Sequence, residues 1–563
     1  MKQGTYDELK NRIKECRVVT FDFYNTLVLR DIPYPDFLFS IIEYEKKIKR
    51  FYKHRISAEN KAKRLIGDNK YSLSDIYNNL DFKGYNILDL MNFECEMEVK
   101  YAVLNKEITP LLEYCMQLGK DIYIISDMYL PSSIEEKILG RYGIVPSAIF
   151  VSAEHKKSKS KGDFYQYLAD KMNWDCSDVL HIGDDYESDF INAQKAGWHS
   201  CLYKEMKHTL LYKEKMVSDV SKALLRRGII FYSGRDISDI VLSCFLKNRI
   251  TKNSIDYRIG FELIGPLVYC FINELHRYCK KNNIRKILFN ARDTKYIMQS
   301  YEKVFGENAI PHMYFRFSRK IVNQILNLVD KESNVITYLK KNDIKGKIAL
   351  VDLGWTGVSA SVLDQYCAAN GLEIDPRIFY FAVDLNANSR YLEQHLDYIL
   401  LDKYSRTMHI YILTTFLETI MSERGGSCIG YNCCGEPILG EKDDYDDALE
   451  KIHEGIVEFC EMYSRAKYEL LDTDYLQDRL LWLSEDPSEC VLDAIKMCGR
   501  NHEPLIEWDK KKILKSIMNS SWKGGYFNSR FSVFSRFIFK LYYYFNSIFT
   551  LCSGKRINNR SGI

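Results

Sequence analysis

Val18-Val19-Thr20-Phe21-Asp22-Phe23-Tyr24-Asn25-Thr26-Leu27 is a short β-rich run that stops on a carboxylate and a turn. Runs of this kind are the buried strands of parallel sheets, and such sheets bind ligands at the carboxyl ends of their strands. Asp22 alone could equally be a turn or helix-capping residue. It is not alone. Three more β-rich runs follow, Ile122–Ile125, Ala148–Val151 and Val179–Ile182. The first leads into Ser126-Asp127-Met128, the second into a lysine-rich loop holding Lys159, and the third into Gly183-Asp184-Asp185-Tyr186-Glu187-Ser188-Asp189. Four strand ends thus supply a carboxylate, a hydroxyl, an ammonium and a carboxylate cluster. Phosphoryl transfer through an aspartyl intermediate needs that set: a nucleophile, neutralisers of phosphate charge and a metal site.

The motif order and approximate spacing over residues 18–205 resemble the haloacid dehalogenase-like (HAD) hydrolase superfamily. The resemblance implies a Rossmann-like parallel sheet with an inserted cap, and a Mg²⁺ ion as cofactor. It makes Asp22 the nucleophile and a metal ligand, with Asp184 and the Tyr24 carbonyl completing the protein ligands. Ser126 and Asp127 become phosphate-binding residues, Lys159 neutralises charge on nucleophile and phosphate, and Asp189 orders metal-bound water or the lysine. Lys161 competes with Lys159, which is preferred for its spacing to Tyr165. A narrower resemblance rests on Asp22–Arg30, Ser126–Pro131 and Ala291-Arg292-Asp293. These stretches look like large bacterial HAD proteins associated with surface-polysaccharide biosynthesis, which implies a pathway and no particular substrate.

One position departs from the phosphatase pattern, where a second Asp usually stands two residues after the nucleophile. Here it is Tyr24. A phenol can donate a proton but is a poor base at neutral pH, so hydrolysis is expected to be weakened. Dehalogenases of the superfamily also carry Tyr there, which leaves displacement at carbon as an alternative. The crowded acids of Gly183–Asp189 favour a cation and phosphoryl chemistry.

Working outward, residues 34–115 are rich in Lys, Glu, Leu, Ile and Tyr at helical spacing without a convincing strand. They read as a helical cap, with Arg30, Arg55, Glu59 and Arg64 as candidate substrate contacts or as an ordinary solvated face. The expected organisation is a HAD-like domain at 1–205, with its core at 15–30 and 118–205 and its cap at 31–117. A second α/β domain follows at 206–440, then a helical region at 441–520 and a tail at 521–563.

The second α/β unit is signalled by the β-like runs Lys286–Phe289, Ile348–Val351 and Ile378–Val383. Arg292, Asp293, Arg319, Asp352 and Glu418 are candidates for a second polar pocket. Val351-Asp352-Leu353-Gly354-Trp355-Thr356-Gly357 has some likeness to a phosphoribosyl-binding loop, an acid followed by Thr-Gly, but is one residue short and lacks paired acids. In the plainer reading Asp293 and Asp352 cap helices.

Composition narrows the partners. The chain has 563 residues with 79 basic against 76 acidic side chains, too balanced for a nucleic-acid binder from bulk charge. Its charged N-terminus has no signal-peptide core, and its 16 scattered cysteines read as reduced thiols of a cytoplasmic protein. The tail is different: it is basic, aromatic and free of acids, and Phe527, Phe531, Phe534, Ile538, Leu541, Phe545 and Ile548 form one apolar stripe. It is expected to lie on an anionic membrane surface or to dock on protein. The functional expectation is a phosphohydrolase or phosphotransferase acting on a sugar or polyol phosphate for surface polysaccharide. The alternative is a degenerate scaffold that binds phosphorylated intermediates or a glycosyltransferase.

Overall fold

The computed structural model describes residues 3–82, 84–203, 254–327, 334–384, 387–402, 416–423, 425–441, 447–466, Gln477 and most of 241–249. The tail at 521–563, and most of the region expected to be helical at 441–520, lie outside the described residues. The chain divides into two compact units, Met1–Ile250 and Thr251–Ile563. Among the described residues no helix is long and apolar enough to cross a membrane.

In the first unit the strands are β1 (Val18–Phe21), β2 (Val28–Arg30), β3 (Ala102–Leu104), β4 (Asp121–Ser126), β5 (Ala148–Val151), β6 (Val179–Gly183) and β7 (His199–Leu202). Five of them form one parallel sheet in the order β5-β4-β1-β6-β7. Every residue of β1 and β6 is buried, as expected of strands covered by helices on both faces. The chain runs outward from β1 to β4 and β5, then returns to the other side of β1 for β6 and β7. The topological switch point therefore lies between β1 and β6, and the crevice there is the ligand position of such sheets.

The helical insertion leaves and re-enters through β2 and β3, an antiparallel pair in which Val28 faces Leu104 and Arg30 faces Ala102. Its helices span Phe37–Glu45, Phe51–Ile66, Leu73–Asn78 and Ile87–Tyr101. Two expectations change here. The stretch without a convincing strand does contain β3, three residues too short to show a period and made a strand by pairing with β2. The helix Thr109–Gln117, counted with the cap, comes after β3 and packs against β4 and the helix Gln3–Glu15. The first unit also runs past residue 205, because Asn248 and Arg249 bond the buried Asp31 carboxylate, at 3.0 and 2.5 Å.

The second unit holds β8 (Lys286–Asn290), β9 (His312–Phe315), β10 (Gly346–Trp355), β11 (Ile374–Val383) and β12 (Leu396–Ile399) in a second parallel sheet. Its order is β12-β11-β10-β8-β9, so its switch point lies between β8 and β10. A small antiparallel pair, β13 (Cys428–Tyr431) and β14 (Pro437–Leu439), packs through β13 against the helices Arg319–Leu326 and Val335–Lys341. The helix Asp447–Ala466 belongs to this unit and not to a separate region. It crosses the segment Ile255–Ile264 so closely that a Cβ on Gly260 would overlap the Ile452 carbonyl, and one on Gly455 the Tyr257 carbonyl.

Candidate active site

The end of β1 and the end of β6 meet at the first switch point. The Asp22 N–H still donates to the Ile182 carbonyl at 2.9 Å, which carries the ladder one residue past β1 and fixes the Asp22 side chain beside β6. Lys159 reaches it from the loop after β5: its Nζ donates to Asp22 Oδ1 at 2.5 Å and to Asp189 Oδ1 at 2.7 Å. Lys161, its rival from sequence, is exposed. Asp184, half-buried, accepts a hydrogen bond from Thr26 Oγ1 at 3.4 Å. Carboxylate oxygens of Asp22, Asp184 and Asp189 lie within 4.8 Å of one another.

Asp189 is the most tightly held of the three. Its Oδ1 also faces His181 Nε2 at 3.2 Å, and its Oδ2 accepts the Asp185 N–H at 3.0 Å. His181 Nδ1 lies 2.7 Å from Thr20 Oγ1, its cross-strand neighbour on β1. A carboxylate only accepts, so the arrangement puts the imidazole proton on Nε2. Gly183 makes room for this: a Cβ there would overlap the Asp189 carboxylate.

Burial pushes the Asp22 carboxyl up, and although Lys159 pulls it down, the Asp189 and Asp184 charges push the same way as burial. Asp189 feels burial too, yet Lys159 and then His181 outweigh it and hold its carboxyl far below the usual range. Burial disfavours the Lys159 ammonium, but the Asp189 and Asp22 carboxylates prevail and hold its pKa well above that of a free lysine. Nearby carboxylates with only one ammonium between them suit a hard divalent cation bound by oxygen. Asp22 and Asp184 fit that role. The oxygens of Asp189 are already engaged, so it fits the positioning role.

Ser126 is buried at the end of β4. Asp127 uses its carboxylate to shape the lysine loop and not to face a ligand. It accepts the main-chain N–H groups of Lys159 and Ser160 at 2.9 and 3.1 Å, and the Ser158 hydroxyl at 2.9 Å. The cap residues proposed as substrate contacts are also committed elsewhere. Arg55 is fully buried in a bidentate pair with Glu94, at 2.7 and 2.8 Å, and also binds Glu59 at 2.7 Å. Arg30 Nε donates to Glu98 Oε2 at 3.0 Å while its guanidinium stacks 3.5 Å from the Tyr24 ring centre. Arg64 bonds the carbonyl of Asn60 in its own helix.

Sequence reading missed Glu98, which receives the Tyr24 hydroxyl at 3.2 Å, and Glu135, a fully buried acid on the helix after Ser126. Neither has a local signal, since acids at such spacing usually mark a solvated helix face. The Thr20–His181 pair was in principle visible, as the polar residues of two otherwise apolar strands.

Residues 16–197 match the haloacid dehalogenase-like hydrolase family. That stretch holds the first sheet and its inserted helices, which resemble the Rossmann-like core of this family. Among solved structures the chain is similar to a 2-haloacid dehalogenase from Pseudomonas syringae pv. tomato, at 16% identity and TM-score 0.28, over 38% of this chain and 99% of that one. It is similar to a HAD phosphatase from Thermococcus onnurineus at 13% identity and TM-score 0.26, over 35% and 89%. It is also similar to a HAD hydrolase from Bacillus subtilis bound to magnesium, at 18% identity and TM-score 0.28, over 37% and 99%. The comparison with curated proteins returns no match.

Proposed function

We propose that the first unit is a Mg²⁺-dependent phosphohydrolase or phosphotransferase that works through an aspartyl-phosphate on Asp22. The observation that carries this reading is the convergence of Asp22, Lys159, Asp184 and Asp189 at one switch point. An Asp22 oxygen attacks phosphorus, the bond to the leaving alcohol oxygen breaks, and that oxygen takes up a proton. Water or a second alcohol then takes the phosphoryl group from Asp22. Lys159 stays charged throughout and balances the nucleophile and the phosphoryl oxygens, while Ser126 donates to the phosphoryl group. Asp189, itself held by His181, keeps Lys159 in place, and Asp127 holds its loop. A divalent cation on Asp22, Asp184 and the Tyr24 carbonyl would add electrophilic neutralisation of phosphate charge.

The substrate proposed is a sugar or polyol phosphate in the making of a surface glycan; the motif resemblance of Asp22–Arg30, Ser126–Pro131 and Ala291-Arg292-Asp293 supports the pathway. The basic aromatic tail would place the protein on the inner face of the membrane; liposome flotation with and without residues 521–563 tests that. The catalytic test is acid-quenched labelling with a panel of sugar phosphates and Mg²⁺. Wild type should form a labelled intermediate and Asp22→Asn should not. The Tyr24–Glu98 contact favours a second reading, a weakened site that binds phosphorylated molecules without turning them over. Phosphate-ester binding without label or turnover would select it.

A further inference from the structure

The second sheet has a switch point of its own, and it opens into a cavity of about 610 Å³, within the size range of small-molecule sites. The carboxyl end of β8 brings Asn290, Arg292 and Asp293 to it, and the end of β10 brings Asp352 and the turn Thr356-Gly357. All five second-pocket candidates from the sequence line this one cavity. None of them belongs to the phosphoryl-transfer site of the first unit.

The walls differ in chemistry. Arg319 and Lys320 open the helix Arg319–Leu326, and both are exposed. Arg319 holds Glu418 at 3.2 Å through a side chain that is 84% exposed, and Lys320 makes no ion pair among the described residues. Just after β10, Gly357 caps the twelve-residue helix Val358–Ala369, which packs against the helix Arg319–Leu326; a Cβ on Gly357 would lie 2.8 Å from Leu392. Fixed acceptors line the cavity as well. Asp352 receives Asn290 Nδ2 at 2.7 Å and the Leu353 N–H at 2.8 Å, and Asp293 receives the Ser422 hydroxyl at 2.9 Å. Burial, with the Asp293 charge added, raises the Asp352 carboxyl to about 7 against the help of Asn290.

We propose that this cavity is a second ligand site, which takes a phosphorylated sugar or polyol. Guanidinium and ammonium groups only donate, and carboxylates only accept. A ligand that complements both has anionic oxygens at one end and hydroxyl donors at the other. Its phosphate lies against Arg319, Lys320 and the N–H groups that open the helix Val358–Ala369, where the helix dipole favours an anion. Its hydroxyls donate to Asp293 and Asp352.

The test uses the full chain carrying Asp22→Asn, titrated calorimetrically with glucose 1-phosphate and, as a control, glucose. Because Asp22→Asn removes the nucleophile, the outcome does not depend on whether the first unit turns over. The expected result is binding of glucose 1-phosphate that Arg319→Ala/Lys320→Ala weakens tenfold or more, with glucose itself at least tenfold weaker than its phosphate. Both cations are exposed, so folding survives the change, and Thr356→Val in the turn before the helix Val358–Ala369 should weaken binding too. Binding unaltered by both variants, equal binding of glucose, or no binding at millimolar ligand overturns the proposal.

Discussion

The Tyr24 hydroxyl donates to Glu98 Oε2 at 3.2 Å, so the residue two places after the nucleophile is bonded to the cap and not to a reacting group. Burial, followed by the Glu98 charge, raises the Tyr24 phenol well above its ordinary value, which removes it as a base at any working pH. Tyr24→Phe should therefore leave phosphate-ester turnover within about threefold of wild type, where a general acid–base residue would be worth about 10² to 10⁴. Steady-state rates on one sugar phosphate decide this.

The same contact shapes the reverse experiment. Tyr24→Asp alone places a second carboxylate near Glu98, and buried like charges repel. Tyr24→Asp combined with Glu98→Gln should accelerate breakdown of the phosphorylated Asp22 by tenfold or more, while the single substitution does less. Equal rates for the single and double variants would show that Glu98 does not govern this position.

In the cap, Arg55 and Glu94 are both fully buried, and Glu94 also accepts the Tyr77 hydroxyl at 2.8 Å. Removing one partner of such a pair strands a charge and costs about 3–5 kcal/mol, whereas replacing both with apolar groups can be near neutral. Glu94→Ala should lower the first unfolding transition markedly, and Arg55→Met/Glu94→Leu should lower it much less. Denaturant unfolding followed by circular dichroism measures both.

The carboxylates around Asp22 predict stabilisation by a divalent cation. A ligand at a hundredfold excess over its Kd adds about 2.7 kcal/mol to a fold that binds it only when native. Thermal melts should shift upward with millimolar Mg²⁺ in wild type and not in Asp184→Asn. The same shift in both proteins would place the cation elsewhere.

Glu135 gives a pH signature. It is fully buried, and burial, with the charge on Asp22 added, raises it from 4.5 to about 8 against the help of the Ser126 hydroxyl. Between those values the folded state keeps a proton that the unfolded state releases. The contribution of Glu135 is thus intact below about pH 4.5 and falls as pH rises, by up to about 1.4 kcal/mol per pH unit, levelling above about 8. Glu135→Gln should gain on wild type steadily from pH 5 to 8. A stability difference that stays constant with pH would show that Glu135 is not held protonated.

What the sequence determined by itself was the set of strand ends. Each buried strand is a local run of β-formers closed by a polar turn, so Asp22, Ser126, Lys159, Asp184 and Asp189 could be placed in order before any fold was known. The second unit was legible for the same reason, although the edge strands β9 and β12 were missed and β10 and β11 run longer than their apolar cores. Tertiary structure alone decided what the remaining charges do. Glu94 and Glu98 stand one turn apart on the helix Ile87–Tyr101 and look like a solvated face. They are buried because Arg55 and Arg30 reach them from positions 39 and 68 residues away. Asp127 looks like a ligand residue and is a loop fastener, because the N–H groups it needs arrive 32 residues later. A local pattern fixes which side chains stand at a strand end, while the partner of a charge is set by the chain that folds against it.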